Sequence, residues 1–251
     1  MLKRFNINEF LWFIILLGFA SYFFYLFISG NIEIFIHPRM KKYAIFAFIV
    51  FCVLAYFQID SFFSSHDDNH RIKKGYLIFL IPIFLGFVIN PKGLDPSIAN
   101  KKGLRLVGPT GENISIFRNN ENDKKENKDG VIEVNEKNYL KIVEDMESNL
   151  KAYKGKRIVI SGFVFKEGSF NKDEFVIARM LVSCCAADSE VIGLMCKWED
   201  SNKLKDDKWV RIEGVIDSTI YKDGKGESII PAVLVDKIEN IDKPKNEYIY
   251  P

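Results

Sequence analysis

The sequence predicts a membrane α-helical N-terminal region followed by a small α+β or all-β C-terminal domain, a five-stranded OB-like barrel with one preceding helix. The first reason is the charge distribution, because residues 1–91 contain 13 charged side chains and residues 92–251 contain 55. The second is the type of apolar segment: long uncharged runs fill the first part, and short β-type runs between turn residues fill the last. We therefore expect a transmembrane region in 1–91, a juxtamembrane segment and charged flexible linker in 92–130, and a soluble OB-like β-barrel domain in 131–251.

Three uncharged runs in the first part have the composition of membrane spans. The 23 residues between Glu9 and Glu33 would extend ~34 Å as a helix, more than the ~30 Å hydrocarbon core of a bilayer. A cleaved signal peptide is not favoured, because this run is long and aromatic and no small-residue cleavage site follows it. The runs Tyr43–Ile59 and Gly75–Pro91 contain 17 residues each, which is the short limit for spanning. The predicted spans are about 10–30, 43–59 and 75–91.

The basic residues beside these runs determine the predicted orientation. One side of the membrane would hold Lys3, Arg4, Arg71, Lys73 and Lys74, and the other side would hold Arg39, Lys41, Lys42, Lys92, Lys101 and Lys102. These two totals nearly cancel. We favour a cytoplasmic N-terminus, and three spans then put the C-terminal half outside the cytoplasm. The orientation reverses if one of the three runs lies in the membrane interface instead of crossing it.

The polar connection between the second and third runs contains His66, Asp67, Asp68 and His70. Imidazole and carboxylate groups coordinate divalent cations such as Zn²⁺. The spacing is loose, because two His residues four positions apart share one face only in a helix. A solvated polar turn is therefore the alternative to a metal site at this connection.

The charged linker ends in the segment Arg118–Gly130, which has eight charged residues among 13 and no apolar side chain. Such a segment cannot bury enough apolar surface to offset the entropy lost on ordering. It predicts a flexible tether between the membrane region and the soluble domain.

The soluble domain is predicted to begin with one amphipathic helix that Asn135 caps and that ends before Gly155. Five β-type segments follow, at Arg157–Lys166, Glu174–Val182, Glu190–Trp198, Trp209–Asp217 and Ala232–Ile241. Gly162 and Gly214 interrupt the first and the fourth segment. A glycine within a strand is typical of a bulge or bend, and both fit a sheet that curls into a barrel.

Residue content argues against two classes of function for the C-terminal half. OB-folds often bind nucleic acid, but residues 92–251 contain 27 basic and 28 acidic residues and so carry no net positive charge. All three His residues of the chain lie within the first 70 positions, which removes Ser-His-Asp and Cys-His catalysis from this half. We expect no nucleic-acid partner and no enzymatic activity.

Three of the four cysteines are close together in the sequence, at Cys184, Cys185 and Cys196. Ser183–Asp188 is predicted as a turn between two strands, where two adjacent thiols can face one ligand and Cys196 of the next strand could approach them. Two or three thiolates with Asp188 suit Zn²⁺ or a Cu(I)-like ion. A redox pair of Cys184 or Cys185 with Cys196 is the second interpretation. Small buried cysteines that only fill a corner of the barrel are the third.

Short motifs along nearly the whole chain point to one family. They lie in Tyr25–Gly30, Asn90–Ala99, Gly155–Lys156, Gly162–Val164, Ala178–Leu194, Trp209–Gly214 and Tyr248–Pro251, and the most specific is Cys184-Cys185-Ala186-Ala187-Asp188. In these motifs the chain resembles the YcgQ-type family of bacterial membrane proteins, which are described as subunits of two-component permeases with a C-terminal domain of unknown function.

The resemblance implies a partner of a larger multi-spanning permease in the bacterial plasma membrane, in a family connected with metal homeostasis and particularly with zinc. Some relatives carry a long His/Asp-rich insert between the second and third spans, whereas this chain has only His66, Asp67, Asp68 and His70 there. A strong metal-buffering loop is therefore not expected in this chain.

Together, these observations predict a multi-pass accessory subunit that is not an enzyme. Its three apolar runs contain no charged residue, although a pump or channel usually needs one within the membrane. The candidate metal ligands, with Zn as the candidate cofactor, are Cys184, Cys185, Asp188 and Cys196, and more weakly His66, Asp67 and His70. A membrane-anchored thiol redox protein and a purely structural permease-stabilising subunit are the alternative functions.

Overall fold

The computed structural model describes residues 7–61, 75–88, 104–107, 130–223, 226–244 and 246–251. The chain separates into two compact units, Met1–Gly93 and Leu94–Pro251. The described part of the first unit is helical, and that of the second is mostly β-sheet.

The helices of the N-terminal unit are α1 (Ile7–Ser29), α2 (Ile32–Phe35), α3 (Lys41–Ser61) and α4 (Tyr76–Val88), with a 3₁₀ turn at Pro38–Met40. Two helical segments, Ile7–Ser29 and Pro38–Asp60, are long and apolar enough to cross a membrane, with mean hydropathies of 2.2 and 2.0. Only 17% and 6% of their most apolar stretches are buried, so neither is the core helix of a globular unit.

Helix α4 corresponds to the third predicted span but has 13 residues, and residues 89–91 lie outside the described part of the chain. A helix of that length reaches only ~20 Å, less than the ~30 Å of a bilayer core. Among the described residues, two helices of spanning length are therefore found where the sequence predicts three spans.

Stacked aromatic rings join α1 to α3. Phe19 and Phe23 of α1 stack on Phe51 of α3 with ring centroids 5.4 and 6.0 Å apart. Polar contacts lie beyond this aromatic stretch: Gln58 donates a hydrogen bond to the Glu9 carboxylate in the first turn of α1. The helix pair is thus apolar along its length and polar at one end, a pattern that suits association with a membrane.

The C-terminal unit contains two short helices and eight strands in its described residues. In chain order they are β1 (Leu104–Leu106), β2 (Val131–Glu133), α5 (Tyr139–Ser148), α6 (Leu150–Tyr153), β3 (Arg157–Phe165), β4 (Glu174–Leu181), β5 (Glu190–Lys197), β6 (Trp209–Asp223), β7 (Gly226–Asn240) and β8 (Tyr248–Ile249). Strand β1 falls within 92–130, so part of the segment predicted as a juxtamembrane linker belongs to the sheet.

Each of the five long strands pairs with two others of the five. Strand β3 pairs with β4, β4 with β5, β5 with β7, β7 with β6, and β6 again with β3. Only the β5–β7 pair among these is parallel. The short strands are additions at the side: β1 pairs with β5, β2 with β3 and β8 with β4, all in parallel.

The predicted strands agree with the observed ones at their starts more than at their ends. Strands β3 to β6 begin at the predicted residues, but β6 continues to Asp223 and β7 already begins at Gly226. The β6–β7 hairpin is therefore longer than predicted. Its outer part pairs Ile220 with Ile229, which are both mostly exposed, so this part has no alternation between a core face and a polar face that could be recognised in the sequence.

The predicted helix starts later than expected. Asn138, and not Asn135, is the residue before α5, and the Asn135 side chain accepts a hydrogen bond from the Lys137 backbone N–H instead. The helix also stops at Asn149 before the single turn α6. The predicted apolar face is present, because Tyr139, Val143 and Met146 are buried in the main core cluster.

Of the two glycines within strands, Gly214 lies at an irregularity of the β6–β7 ladder, where the register shifts between Glu213 and Gly214. A Cβ atom on Gly214 would lie 2.2 Å from the Leu234 carbonyl oxygen, and one on Gly162 would lie 2.5 Å from the Ala178 carbonyl oxygen. This register shift agrees with the bulge or bend predicted at Gly214. At Gly162 the neighbouring strand β4 approaches so closely that any larger residue would clash with its backbone.

Candidate functional site

The turn between β4 and β5 carries the adjacent thiols. Strand β4 ends at Leu181, and a 3₁₀ turn at Ala186–Asp188 leads into β5 at Glu190. Cys185 keeps an extended backbone immediately before that turn. Because the strand has ended, the two side chains do not point to opposite faces, and the Cys184 Sγ lies 3.5 Å from the Cys185 Sγ.

Asp188 holds the backbone of this turn with both carboxylate oxygens. Its Oδ2 accepts the backbone N–H of Cys184 at 2.8 Å, and its Oδ1 accepts the backbone N–H of Cys185 at 3.2 Å. The ligand atoms of Cys184, Cys185 and Asp188 all lie within 4.8 Å of one another. The three residues therefore form a compact set of possible metal ligands.

Hydrogen bonds make the two thiols unequal. A hydrogen bond to Asp188, followed by one to Cys185, raises the pKa of Cys184 to about 12. The hydrogen bond from Cys184, with others from the Ala187 and Asp188 backbone, lowers the pKa of Cys185. Cys184 therefore keeps its proton at neutral pH, and Cys185 is the first of the two to become a thiolate as the pH rises.

The pKa of the Asp188 carboxyl responds to two opposing influences. Burial raises it, but hydrogen bonds from the Cys184 side chain and from the backbone of Ser183, Cys184 and Cys185 lower it, and the pKa lies below its ordinary value. Asp188 is thus a carboxylate at neutral pH. A metal ion at this turn would meet one carboxylate and two thiols, and binding to both sulfurs would require the proton of Cys184 to be displaced.

Cys196 is not part of this cluster. It is fully buried, pairs with Phe175 in the β4–β5 ladder, and its thiol contacts the Leu194 carbonyl oxygen at 3.5 Å. Cys196 is six residues along β5 from Glu190, which corresponds to ~20 Å at ~3.3 Å per residue. The structure therefore brings together three of the four predicted cysteine-site residues and leaves out Cys196, whose pKa is raised by burial.

The weaker candidates His66, Asp67 and His70 lie outside the described residues, as does Asp68. The metal site predicted at that connection therefore stays a prediction.

A buried arginine beside the C-terminal strand was not predicted. The Arg179 guanidinium lies 4.8 Å from the centre of the Trp209 ring, donates a 3.4 Å hydrogen bond to the Asn246 carbonyl, and is 3.6 Å from the Glu136 carboxylate. Burial lowers its pKa. An arginine within an apolar strand gives no sequence signal for its partners, because the nearest of them along the chain is 30 positions away. Arg179 fixes the segment that leads into β8.

Two family models together cover most of the chain. Residues 11–105 match the DUF1980 N-terminal domain, and residues 115–251 match the DUF1980 C-terminal domain. The chain belongs to the DUF1980 family. The Cys184–Asp188 turn thus lies in the DUF1980 C-terminal domain, and α1 and α3 lie almost entirely in the N-terminal one.

Curated relatives of this DUF1980 chain match along nearly their full length. It is 25% identical to "UPF0703 protein YcgQ" of Bacillus subtilis (strain 168), over 94% of the chain and 98% of that protein. It is 21% identical to "Putative two-component membrane permease complex subunit" of Streptococcus mutans serotype c, over 95% of the chain and 98% of that protein. The resemblance to the YcgQ-type family is confirmed.

Among solved structures, the DUF1980 chain matches a mitochondrial single-stranded DNA binding protein of S. cerevisiae, Rim1, with a TM-score of 0.23 and 10% identity. The match covers 35% of the chain and 96% of that protein. At this TM-score it supports no conclusion about the chain.

Proposed function

We propose that the chain is a non-enzymatic accessory subunit of a membrane permease, whose C-terminal domain offers Cys184, Cys185 and Asp188 as a thiolate site for a metal ion such as Zn²⁺. The observation that carries the proposal is the approach of two thiols and one carboxylate within 4.8 Å on an exposed turn. Soft thiolate ligands favour zinc and similar ions over Mg²⁺ or Ca²⁺. The ion would be bound by these side chains without a catalytic step.

The membrane part of the proposal rests on α1 and α3. Both helices expose large apolar side chains, such as Ile28 at 71% and Phe46 at 66%, and this surface suits lipid or another membrane protein. No charged residue interrupts either apolar stretch, so these helices offer no polar path for an ion. Transport then depends on a larger, multi-spanning partner, and the name of the Streptococcus mutans relative supports this partner.

The remaining topology is part of the same proposal. Residues 75–91 would provide the third span, the protein would be multi-pass in the bacterial plasma membrane, and the C-terminal domain would lie outside the cytoplasm. Residues 131–251 would form an OB-like barrel, which the pairing order β3–β4–β5–β7–β6–β3 supports. Such a barrel would serve as a rigid support for the cysteine turn.

The thiol redox alternative is less well supported. It needs Cys196 to approach Cys184 or Cys185, and bridging requires Cα atoms within ~7 Å. Cys196 is buried at the other end of its strand. The purely structural alternative predicts a folded protein in which the exposed thiols bind nothing.

Zinc titration of the purified full-length chain in detergent tests the metal site. With Zn²⁺ bound, Cys184 and Cys185 should be protected from alkylation, and the variant Cys184→Ser/Cys185→Ser should lose one equivalent of bound zinc. Cys196→Ala is the matched control and should bind zinc like the unmodified chain. Folded protein in which the Cys184 and Cys185 thiols stay fully reactive in excess zinc would leave only the structural role.

Reconstitution tests the accessory role. In lipid vesicles the chain alone should move no Zn²⁺ or small solute above the rate of empty vesicles. Transport by the chain alone would contradict an accessory subunit, because it would require a pathway within its own helices.

A further inference from the structure

We infer, building on the metal site proposed above, that the Cys184–Cys185–Asp188 turn is an open site for a tetrahedral ion, completed by a donor from another molecule. A site of this kind exchanges its ion instead of storing it. The inference rests on the distance between the two sulfurs, on the number of donors in the turn and on their exposure.

The sulfur separation favours a tetrahedral ion over a linear one. Two Zn–S bonds of ~2.3 Å at a tetrahedral angle hold their sulfurs ~3.8 Å apart, whereas a linear arrangement with bonds of the same length needs ~4.6 Å. The Cys184 and Cys185 sulfurs are 3.5 Å apart. The two sulfurs therefore have to move apart only slightly to bind zinc together. They would have to move apart much further to bind a linear two-coordinate ion such as Cu(I).

The turn supplies at most three donors. Asp188 is a restrained third donor, because both of its oxygens already accept backbone N–H groups of Cys184 and Cys185. Among the described residues, no fourth His, Cys, Asp or Glu belongs to this group. Structural zinc sites in proteins are closed by four protein ligands, whereas sites with three protein ligands keep a position for water or substrate.

The position of the turn leaves this fourth coordination site within reach of other molecules. Cys184 is exposed and Cys185 is half-buried. The residue just before the turn is tied to strand β8, because the Val182 backbone N–H donates a 3.0 Å hydrogen bond to the Ile249 carbonyl. Water would occupy the open position at rest. A thiolate or imidazole of an accepting protein could replace it, and further replacement of the turn's own ligands would transfer the ion without releasing it into solution.

Cobalt substitution of the full-length chain in detergent tests the inference separately from the metal site itself. Co²⁺ should give a thiolate charge-transfer band in the unmodified chain and in Cys196→Ala, and no such band in Cys184→Ser/Cys185→Ser. Added imidazole should then shift the d–d bands saturably, because it enters the open position.

Three results overturn the inference in different ways. If no thiolate band forms, the metal site fails and the open site fails with it. If the band forms but imidazole leaves the d–d bands unchanged, the site binds metal and is closed. A response to imidazole that appears only in His66→Ala/His70→Ala would show that the chain completes its own site, and would also overturn the inference.

Discussion

Cys196 lies directly opposite Phe175 in the β4–β5 ladder, and its side chain is fully buried. Cys184 and Cys185 lie in the turn that joins the same two strands, where solvent reaches them. One hairpin therefore carries two kinds of thiol. Those in the turn are open to ions and reagents, whereas the core protects the one within β5.

This difference predicts the order of alkylation. In the native full-length chain, iodoacetamide should modify Cys184 and Cys185, and it should modify Cys196 only after urea unfolds the domain. Mass spectrometry of the cysteine peptides at successive times measures all three rates in one sample. Modification of Cys196 at the same rate as the turn thiols would contradict its burial and would restore the redox pair as an interpretation.

The pH dependence of alkylation should separate the two turn thiols. The reactive species is the thiolate; since the pKa of Cys185 is lowered, its rate should level off first as the pH rises. Cys184, with a pKa of about 12, should keep gaining about tenfold per pH unit up to about pH 11.

Asp188→Asn provides the variant for this measurement. Loss of the carboxylate removes the strongest influence that raises the pKa of Cys184, so its alkylation at pH 8 should become faster. Rates of Cys184 that are the same in Asp188→Asn and in the unmodified chain would show that Asp188 does not control this thiol.

A single methyl group at Gly214 should destabilise the C-terminal domain. The new Cβ would lie 2.2 Å from the Leu234 carbonyl oxygen, which is backbone and cannot rotate away, whereas a Cβ at Gly168 would meet nothing within 4 Å. Overpacking of this kind costs about 2–3 kcal/mol of unfolding free energy, and an open surface site should change by less than about 0.5 kcal/mol. Urea unfolding followed by pulse alkylation of Cys196 compares Gly214→Ala with Gly168→Ala. Equal midpoints would contradict the close approach.

The long strands could be predicted because Val, Ile and Phe cluster between turn residues, and β3 to β6 begin where those clusters begin. The short strands β1, β2 and β8 could not, because two or three residues are too few for an alternating pattern. The β6–β7 hairpin was predicted too short for a different reason. Ile220 and Ile229 are paired in the ladder but lie outside the core. The length of this hairpin is therefore set by backbone hydrogen bonding, which leaves no pattern of buried residues in the sequence.

The candidate site could be predicted only in its local part. Cys184, Cys185 and Asp188 lie within five consecutive positions, and one turn is enough to bring them together. The placement of Cys196 depends on the register between β4 and β5, which is a property of two strands and not of the spacing along one of them. The contact of Arg179 with Trp209 depends in the same way on non-local packing.

The last prediction concerns β8, which closes the edge of β4 next to the cysteine turn. Ile249 is 1% exposed and belongs to the main core cluster, so Ile249→Ala should lower the unfolding free energy by about 2–4 kcal/mol. Ile229→Ala is the matched control, because Ile229 is 62% exposed and its truncation should cost less than about 0.5 kcal/mol. Urea unfolding with Cys196 alkylation as the readout measures both variants. Equal stabilities would mean that β8 is only loosely attached, and that the hydrogen bond from Val182 to Ile249 does not support the turn.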